Sequence, residues 1–248
     1  MILTSKNNPL IKETASLKEK KGRKEHGLFL VEGVKMCKEV QRSGLETERF
    51  FVAESYQGTP FPEEQTVVVS DALLPVLSDE KTPQKVVCRV KIPKNTPVSP
   101  QGACLILDGV SDPSNIGAII RTANAAGYNE IYLTPDCADI YSPKSVRASM
   151  SGVFFVKPYI ATREEIVSLL GDIPVIVADM SGENAFTFSA PKKFALVIGN
   201  EGNGVSEIMR KAAQKTVKIP MSTTQESLNA SVSAGILMYL LKKDDFTK

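Results

Sequence analysis

Short apolar runs punctuate the first part of the chain. Leu28-Phe-Leu-Val-Glu32, Arg49-Phe-Phe-Val-Ala53, Thr66-Val-Val-Val-Ser70 and Val86-Val-Cys-Arg-Val90 are rich in β-branched and aromatic residues, and each predicts a strand. Gly33 to Arg42 predicts a helix ended by Ser43-Gly44, and Asp71 to Leu77 a short one capped by Ser70 or Asp71. From Ala103 onward the apolar runs become continuous. Strands are expected at Ala103 to Leu107, Glu130 to Leu133, Val153 to Val156, Val175 to Ala178, Ala195 to Ile198 and Thr216 to Ile219. Helices are expected at about 143–150, 162–170 and 205–214, and after Asp112 and Ser227. Buried strands alternating with helices imply an α/β fold with a mostly parallel sheet covered on both faces.

Ile92-Pro-Lys-Asn-Thr-Pro-Val-Ser-Pro-Gln-Gly102 carries three prolines and no periodicity, which marks a linker. It divides the chain into a smaller α/β domain over 1–92, a linker over 93–102 and a larger domain over 103–248. A length of 248 residues gives room for both. Hydrophobic residues at 42% and charged residues at 23% fit a soluble globular protein. Polar Thr4 to Asn8 directly follow Met1-Ile-Leu, so no signal peptide is expected. The longest apolar run, Ala234 to Leu241, is far short of a membrane span. Cys37, Cys88, Cys104 and Cys137 form no CxxC. That points away from zinc and disulfide scaffolds and toward a reduced, cytoplasmic protein without metal. His26 is the single histidine and lies in a charged segment, which argues against Ser-His-Asp or Cys-His catalysis.

The net charge of +2 says little, but its distribution says more. Residues 6–24 hold seven cations (Lys6, Lys12, Lys18, Lys20, Lys21, Arg23, Lys24) against two acids, Glu13 and Glu19. Such a segment is either a solvated helix face or the electrostatic footprint of a phosphate-backbone partner.

Three loops fall at the C-terminal ends of the larger domain's strands, where ligands gather in open α/β sheets. In the helix after Asp112-Pro-Ser114, Ile116, Ile119, Ile120 and Ala123 form the apolar stripe. Arg121 lies elsewhere among Gly117, Ala118 and Ala125, as either an ordinary surface ion-pair partner or a guanidinium aimed at a phosphate or oxyanion. Asn115, at or near the N-cap, either satisfies the helix end or orients the loop. The second loop, Gly199-Asn-Glu-Gly-Asn-Gly-Val-Ser206, has neither the dinucleotide fingerprint nor the Gly-Lys-Ser/Thr of a phosphate loop. Glu201 within it would repel phosphate and suits a cationic or zwitterionic ligand with a ribose, such as S-adenosylmethionine. The third loop, Met221 to Glu226, follows Pro220. Ser227 is the expected N-cap of the last helix. That helix is rich in small residues (Ala230, Ser231, Ser233, Ala234, Gly235), which fits tight packing or a pocket lipped by Ser227 and Asn229.

Asn115-x-Gly117-x-x-x-Arg121, Ile198-Gly-Asn-Glu-Gly-x-Gly204-x-Ser206 and Ile219-Pro-Met…Glu-Ser-Leu-Asn-Ala-Ser231, in this order and spacing, resemble the three motifs of the SpoU family of RNA ribose 2′-O-methyltransferases. Asn8-Pro-Leu-Ile-Lys…Phe29-Leu-Val-Glu-Gly33 resembles the substrate-binding domain of the same enzymes. One departure stands out: many members carry glycine where this chain has Thr223. The resemblance implies a trefoil-knotted α/β domain of SPOUT type, a homodimer and S-adenosylmethionine as cofactor. It assigns the cofactor to Gly199, Asn200, Gly202, Ile219, Met221, Leu228 and Asn229. Catalysis falls to Arg121, Asn115, Glu201, Ser227 and Asn229.

The expected activity is methylation of a ribose 2′-hydroxyl in structured RNA, with 23S ribosomal RNA favoured over transfer RNA because a separate basic N-terminal domain suits a large target. Lys6, Lys12, Lys20, Lys21, Arg23 and Lys24 are the candidate RNA contacts. The rival readings are a transfer-RNA methyltransferase, a non-catalytic RNA-binding or ribosome-assembly factor, and an enzyme of another nucleotide such as a dehydrogenase. Intact Asn115, Arg121, Glu201, Ser227 and Asn229 weigh against the non-catalytic reading, and the missing phosphate loop against the dehydrogenase.

Overall fold

The computed structural model describes residues 2–222, 224 and 227–247; Thr223 lies outside them. In chain order the elements are β1 (Ile2–Leu3), α1 (Pro9–Ser16), α2 (Lys20–His26), β2 (Leu28–Glu32), α3 (Val34–Ser43), β3 (Thr47–Ala53), β4 (Thr66–Val69), α4 (Leu74–Leu77) and β5 (Val86–Lys91). There follow β6 (Cys104–Asp108), α5 (Pro113–Ala125), β7 (Glu130–Leu133), α6 (Pro143–Ser149), β8 (Lys157–Ile160) and α7 (Arg163–Leu170). The last are β9 (Val175–Asn184), β10 (Ala195–Gly199), α8 (Glu207–Ala212), β11 (Lys215–Lys218) and α9 (Ala230–Leu241). The chain divides into two compact units, one of Met1–Lys94 with Asp139–Phe154, the other of Asn95–Ala138 with Phe155–Lys248.

The first unit is a mixed five-stranded sheet ordered β1-β4-β3-β5-β2, with β1 and β3 parallel to β4 and with β5 antiparallel to both β3 and β2. Strand β1 has too few residues to announce itself in sequence. One sheet face buries Leu28, Leu30, Phe51 and Val87 against Ile11 and Leu17 from the α1 region and Leu74 and Leu77 of α4. By strand alternation Phe29 and Val31 point to the opposite face. There Phe29 packs in tilted contact with Tyr141 (centroids 4.7 Å apart) and Phe154 (6.4 Å). Residues 139–154, expected within the larger domain, thus cluster with this sheet through their apolar side chains.

The same packing explains two departures from the sequence reading. Val153 to Val156 is not a strand: Gly152–Phe154 forms a 3-10 turn, and Phe154 packs on Phe29 while Phe155 is exposed. The strand forms just beyond, at β8. Arg23, placed among the RNA-facing cations, is 4% exposed. Its guanidinium is paired with Asp139 at 2.7 Å and donates to the carbonyls of Leu17 and Lys18. A buried, fully paired arginine is a structural anchor, and an RNA phosphate cannot reach it.

The second unit is a six-stranded sheet ordered β11-β9-β10-β6-β7-β8, and every pairing in it is parallel. Pro158, which cannot donate to a ladder, sits in the edge strand β8. One sheet face packs Ile106, Tyr132, Val177 and Val197 on Ile166 and Leu170 of α7 and Met209 of α8. Helices α5 and α9 pack on each other, and a Cβ on Gly235 would just reach ordinary contact with Thr122. Strand β9 runs longer than expected because its register against β11 jumps at Thr216/Val217, from Val177 to Glu183. Residues 178–182 leave the ladder there. Gly182 permits the return: a Cβ on it would lie 2.5 Å from the Thr216 carbonyl carbon.

Candidate active site

The site of the second unit grows from adjacent strand ends. Strand β6 ends in Asp108 and β10 in Gly199, paired in register. Beyond β6 the chain turns into α5, whose N-cap is Asp112: its carboxylate accepts from the Ser114 and Asn115 amides at 2.7 and 3.1 Å. Asn115 is therefore not the cap, which leaves its side chain for other partners. Asn115 Nδ2 donates to Glu201 Oε1 at 2.9 Å, and Asn115 Oδ1 accepts from Asn229 Nδ2 at 3.0 Å. Asn229, not Ser227, caps α9, its Oδ1 accepting from the amides of Ser231 (2.8 Å) and Val232 (3.4 Å). Ser227 lies two positions too early to reach those amides. Glu201, Asn115 and Asn229 thus form one hydrogen-bonded line that ties together the three motifs singled out in the sequence.

Glu201 anchors that line. Its carboxylate also accepts from the Ser111 amide and hydroxyl, each at 3.2 Å, and from the Asp112 amide at 3.4 Å. Burial alone would raise its pKa, but the hydrogen bonds from Asn115 and the Ser111 and Asp112 amides outweigh it and hold the carboxyl below its usual value. The group is an anion at neutral pH and sits at the N-terminus of α5, where the helix dipole favours negative charge. Because the shift is downward, this contribution is present above the ordinary carboxylate pKa and fades as pH falls through the lowered one.

The glycine pattern of the second loop follows from how the loop closes on itself. Asn200 and Gly204 exchange backbone hydrogen bonds at 2.9 Å, and Gly204 has φ +69°. A Cβ on Gly199 would stand 2.3 Å from the Gly204 carbonyl carbon, so only glycine fits. Asn200 Oδ1 accepts from the Gly202 and Asn203 amides at 2.9 and 3.0 Å, and its Nδ2 donates to the Gly109 carbonyl at 2.7 Å. The loop is a self-satisfied turn braced to its neighbour, with its amides occupied, and this is why it lacks phosphate-loop character.

A cavity of about 380 Å³ opens between the loops, in the range of small-molecule pockets. Gly199, Asn200, Glu201 and Val205 line one side, Ile219 and Met221 a second, Ser227, Leu228 and Asn229 a third, and Asp179 and Met180 from the β9 detour another. Apolar Ile219, Leu228 and Leu237 beside amide and carboxylate groups suit a flat heterocycle joined to a polar, charged tail, which is the chemistry of S-adenosylmethionine. Of the residues assigned to the cofactor, Gly199, Asn200, Ile219, Met221, Leu228 and Asn229 line this cavity. Gly202 lies outside the lining, its amide engaged by Asn200. Arg121 is exposed on α5 and is not among the lining residues.

Sequence reasoning missed the ions beneath the loops. Asp108 is fully buried, accepting from Arg163 Nε at 2.6 Å and from the Ser206 amide at 2.7 Å. Arg163 also pairs with Asp136 at 2.7 Å. The available signal was a carboxylate closing an otherwise apolar strand. Thiol chemistry finds no support here: burial pushes the Cys104 thiol up to about 12. Among the described residues no group of three or more His, Cys, Asp or Glu is placed to hold a metal ion.

Residues 102–239 match the SpoU rRNA Methylase family, and residues 8–88 match the MRM3-like substrate binding domain. The chain belongs to the SpoU rRNA methylase family. It is 27% identical over 252 residues to the 23S rRNA (guanosine(2553)-2′-O)-methyltransferase RlmP of Bacillus subtilis (strain 168), covering 97% of this chain and 98% of that protein. Among solved structures it resembles the AdoMet-bound rRNA methyltransferase from Sinorhizobium meliloti, with 26% identity, a TM-score of 0.88 and 98% coverage of both chains. It also resembles an RNA 2′-O ribose methyltransferase, with 30% identity, a TM-score of 0.83, and coverage of 99% of this chain and 100% of that one.

Proposed function

We propose that this enzyme methylates a ribose 2′-hydroxyl of 23S ribosomal RNA, using S-adenosylmethionine bound in the cavity between the three loops. The observation that carries the reading is the Glu201–Asn115–Asn229 line at the mouth of that cavity, in a chain matched end to end by a 23S rRNA 2′-O-methyltransferase. S-adenosylmethionine, when bound, supplies a methyl group activated on a sulfonium. Gly199, Ile219, Met221 and Leu228 shape its pocket, and Asn229 and Ser227 at the lip fix ligand geometry. Glu201 holds the lip together as an anion. Arg121, a planar fork of fixed donors, acts by holding an RNA phosphate and stabilising the forming 2′-alkoxide, with that phosphate or a water taking the proton.

Arg121 lies outside the lining of its own pocket. In the homodimer we propose with this function, it serves the pocket of the second copy. The knotted threading implied by the family resemblance belongs to the same proposal. Four free, buried cysteines support a reducing, cytoplasmic setting, and no helix among the described residues is long and apolar enough to cross a membrane.

The direct test is methyl transfer from labelled S-adenosylmethionine to total RNA from a strain lacking the gene, followed by mapping of 2′-O-methyl sites. Label at one ribose of 23S rRNA is the expected result. Label confined to transfer RNA would move the substrate. Neither label nor cofactor binding would favour the RNA-binding factor.

The first unit is the proposed RNA-docking module. Lys6, Lys12, Lys20, Lys21 and Lys24 are exposed, whereas Lys18 is half-buried and donates to the Val76 carbonyl. Replacing the five exposed lysines by glutamine should weaken RNA binding and flatten its salt dependence by roughly one unit of slope per lysine in contact. Titrations at several salt concentrations would show this, and an unchanged slope would remove this face from the RNA interface.

A further inference from the structure

We propose that Arg210 is a positioning residue for the cofactor pocket, clipping two of its walls together from behind. The first wall is the β9 detour, which brings Asp179 to the cavity. The second is the turn through Gly204 and Val205, which lines it from the β10 side. Arg210, in the last turn of α8, does not line the cavity. Its Nη1 pairs with Asp179 Oδ2 at 2.5 Å, and its Nε donates to the Val205 carbonyl at 3.0 Å. Its Nη2 lies 3.3 Å from where a Cβ on Gly204 would stand. One planar guanidinium therefore meets both walls at the positions where each departs from regular structure.

The detour needs such a clip. Residues 178–182 have left the β9–β11 ladder, so no strand pairing fixes them. Asp179 is held there by the Ser181 amide and hydroxyl at 3.0 and 2.8 Å and by Arg210. The Ser181 amide first, and then the Ser181 hydroxyl and Arg210, outweigh burial and keep the Asp179 carboxyl below its usual range. It therefore presents a charge to Arg210 at neutral pH. The turn is already closed by the paired backbone bonds of Asn200 and Gly204, so it offers Arg210 a fixed post to which the detour is tied at Val205. A fork with fixed donors suits two acceptors in different directions, and an ammonium does not.

The inference rests on the proposed cofactor for the pocket, so the experiment separates the two. Arg210→Ala, Arg210→Lys, Asp179→Ala and the double Arg210→Ala/Asp179→Ala variant would be compared with wild type, all as the full chain. Amide hydrogen exchange of the ligand-free protein reads the clip, and calorimetric titration with S-adenosylhomocysteine reads the pocket. Arg210→Ala should speed exchange in both 178–182 and 199–206 and weaken binding about tenfold, raising KM for the methyl donor with little change in kcat. Lysine should recover part of the loss, because it reaches one acceptor at a time. The double variant should be no worse than the poorer single one.

Unchanged exchange in Arg210→Ala would overturn the clip. Faster exchange with unaltered S-adenosylhomocysteine affinity would overturn its positioning role. If wild type itself fails to bind S-adenosylhomocysteine, the cofactor reading and the positioning role fall, while the exchange result still decides whether the clip exists. Should the alanine variant not fold, Arg210→Lys and Asp179→Ala carry the same readouts.

Discussion

Arg121→Ala should lower methyl transfer by about 10²–10³ while leaving S-adenosylhomocysteine affinity near wild type. Removal of an exposed guanidinium outside the pocket lining disturbs neither the fold nor the loops, so the loss would fall on kcat. Arg121→Lys should recover little, because a point charge cannot reproduce a two-pronged grip on phosphate and oxyanion. Single-turnover assays with saturating cofactor would read this, and wild-type activity in the alanine variant would end the assignment. The shared-site reading has its own check. Arg121→Ala protein mixed and re-assembled with Asn229→Ala protein should regain roughly a quarter of wild-type activity, since half the dimers are then mixed and each holds one intact site. No recovery would place Arg121 at its own chain's pocket.

Asp108→Ala should destabilise the second unit by about 3 kcal/mol or more, because deleting one partner of a buried ion pair strands the other. Two groups lose their acceptor: Arg163, 24% exposed, and the Ser206 amide that opens α8. Asp136 still answers for part of the guanidinium charge, which keeps the cost at the lower end of that range. Asp108→Asn should recover only part of the loss, since Arg163 and Ser206 donate to different carboxylate oxygens and the amide nitrogen must then face one of them. Denaturant titration would measure both variants. A stability equal to wild type would mean that the ion pair is replaceable by water.

How much of this the sequence disclosed depended on whether a residue's role was local. Strands β6, β7 and β10 stand out because their apolar runs are bounded by turn residues, and the parallel sheet follows from their continuity. The three loops were visible as motifs, and Glu201, Asn115 and Asn229 are brought together in them. Cap positions were less visible. Ser227 is as good an N-cap residue by type as Asn229, and only the helix start at Ala230 decides between them. Asp112 likewise took the cap assigned near Asn115. Arg23 shows the limit more sharply: in sequence it is one cation among seven, and its burial depends on Asp139, far along the chain. Val153 to Val156 has the composition of a strand, yet Phe154 is claimed by Phe29 and the run turns there. Non-local packing cannot be read from period or propensity.

The chain crosses between the two units three times, at 94/95, 138/139 and 154/155. A protease that cuts the proline-rich segment alone would therefore not release the first unit whole, because residues 139–154 would stay covalently joined to the second unit and 1–94 would hold to them by packing alone. Nor is truncation near residue 94 a clean dissection. The fragment ahead of the cut would lose Tyr141 and Phe154 from the face of Phe29 and Asp139 from Arg23, and the fragment behind it would display them to solvent. Anyone wishing to isolate the first unit would have to excise 95–138, join Lys94 to Asp139 and end the gene at Phe154, two removals where a single cut would be expected to serve.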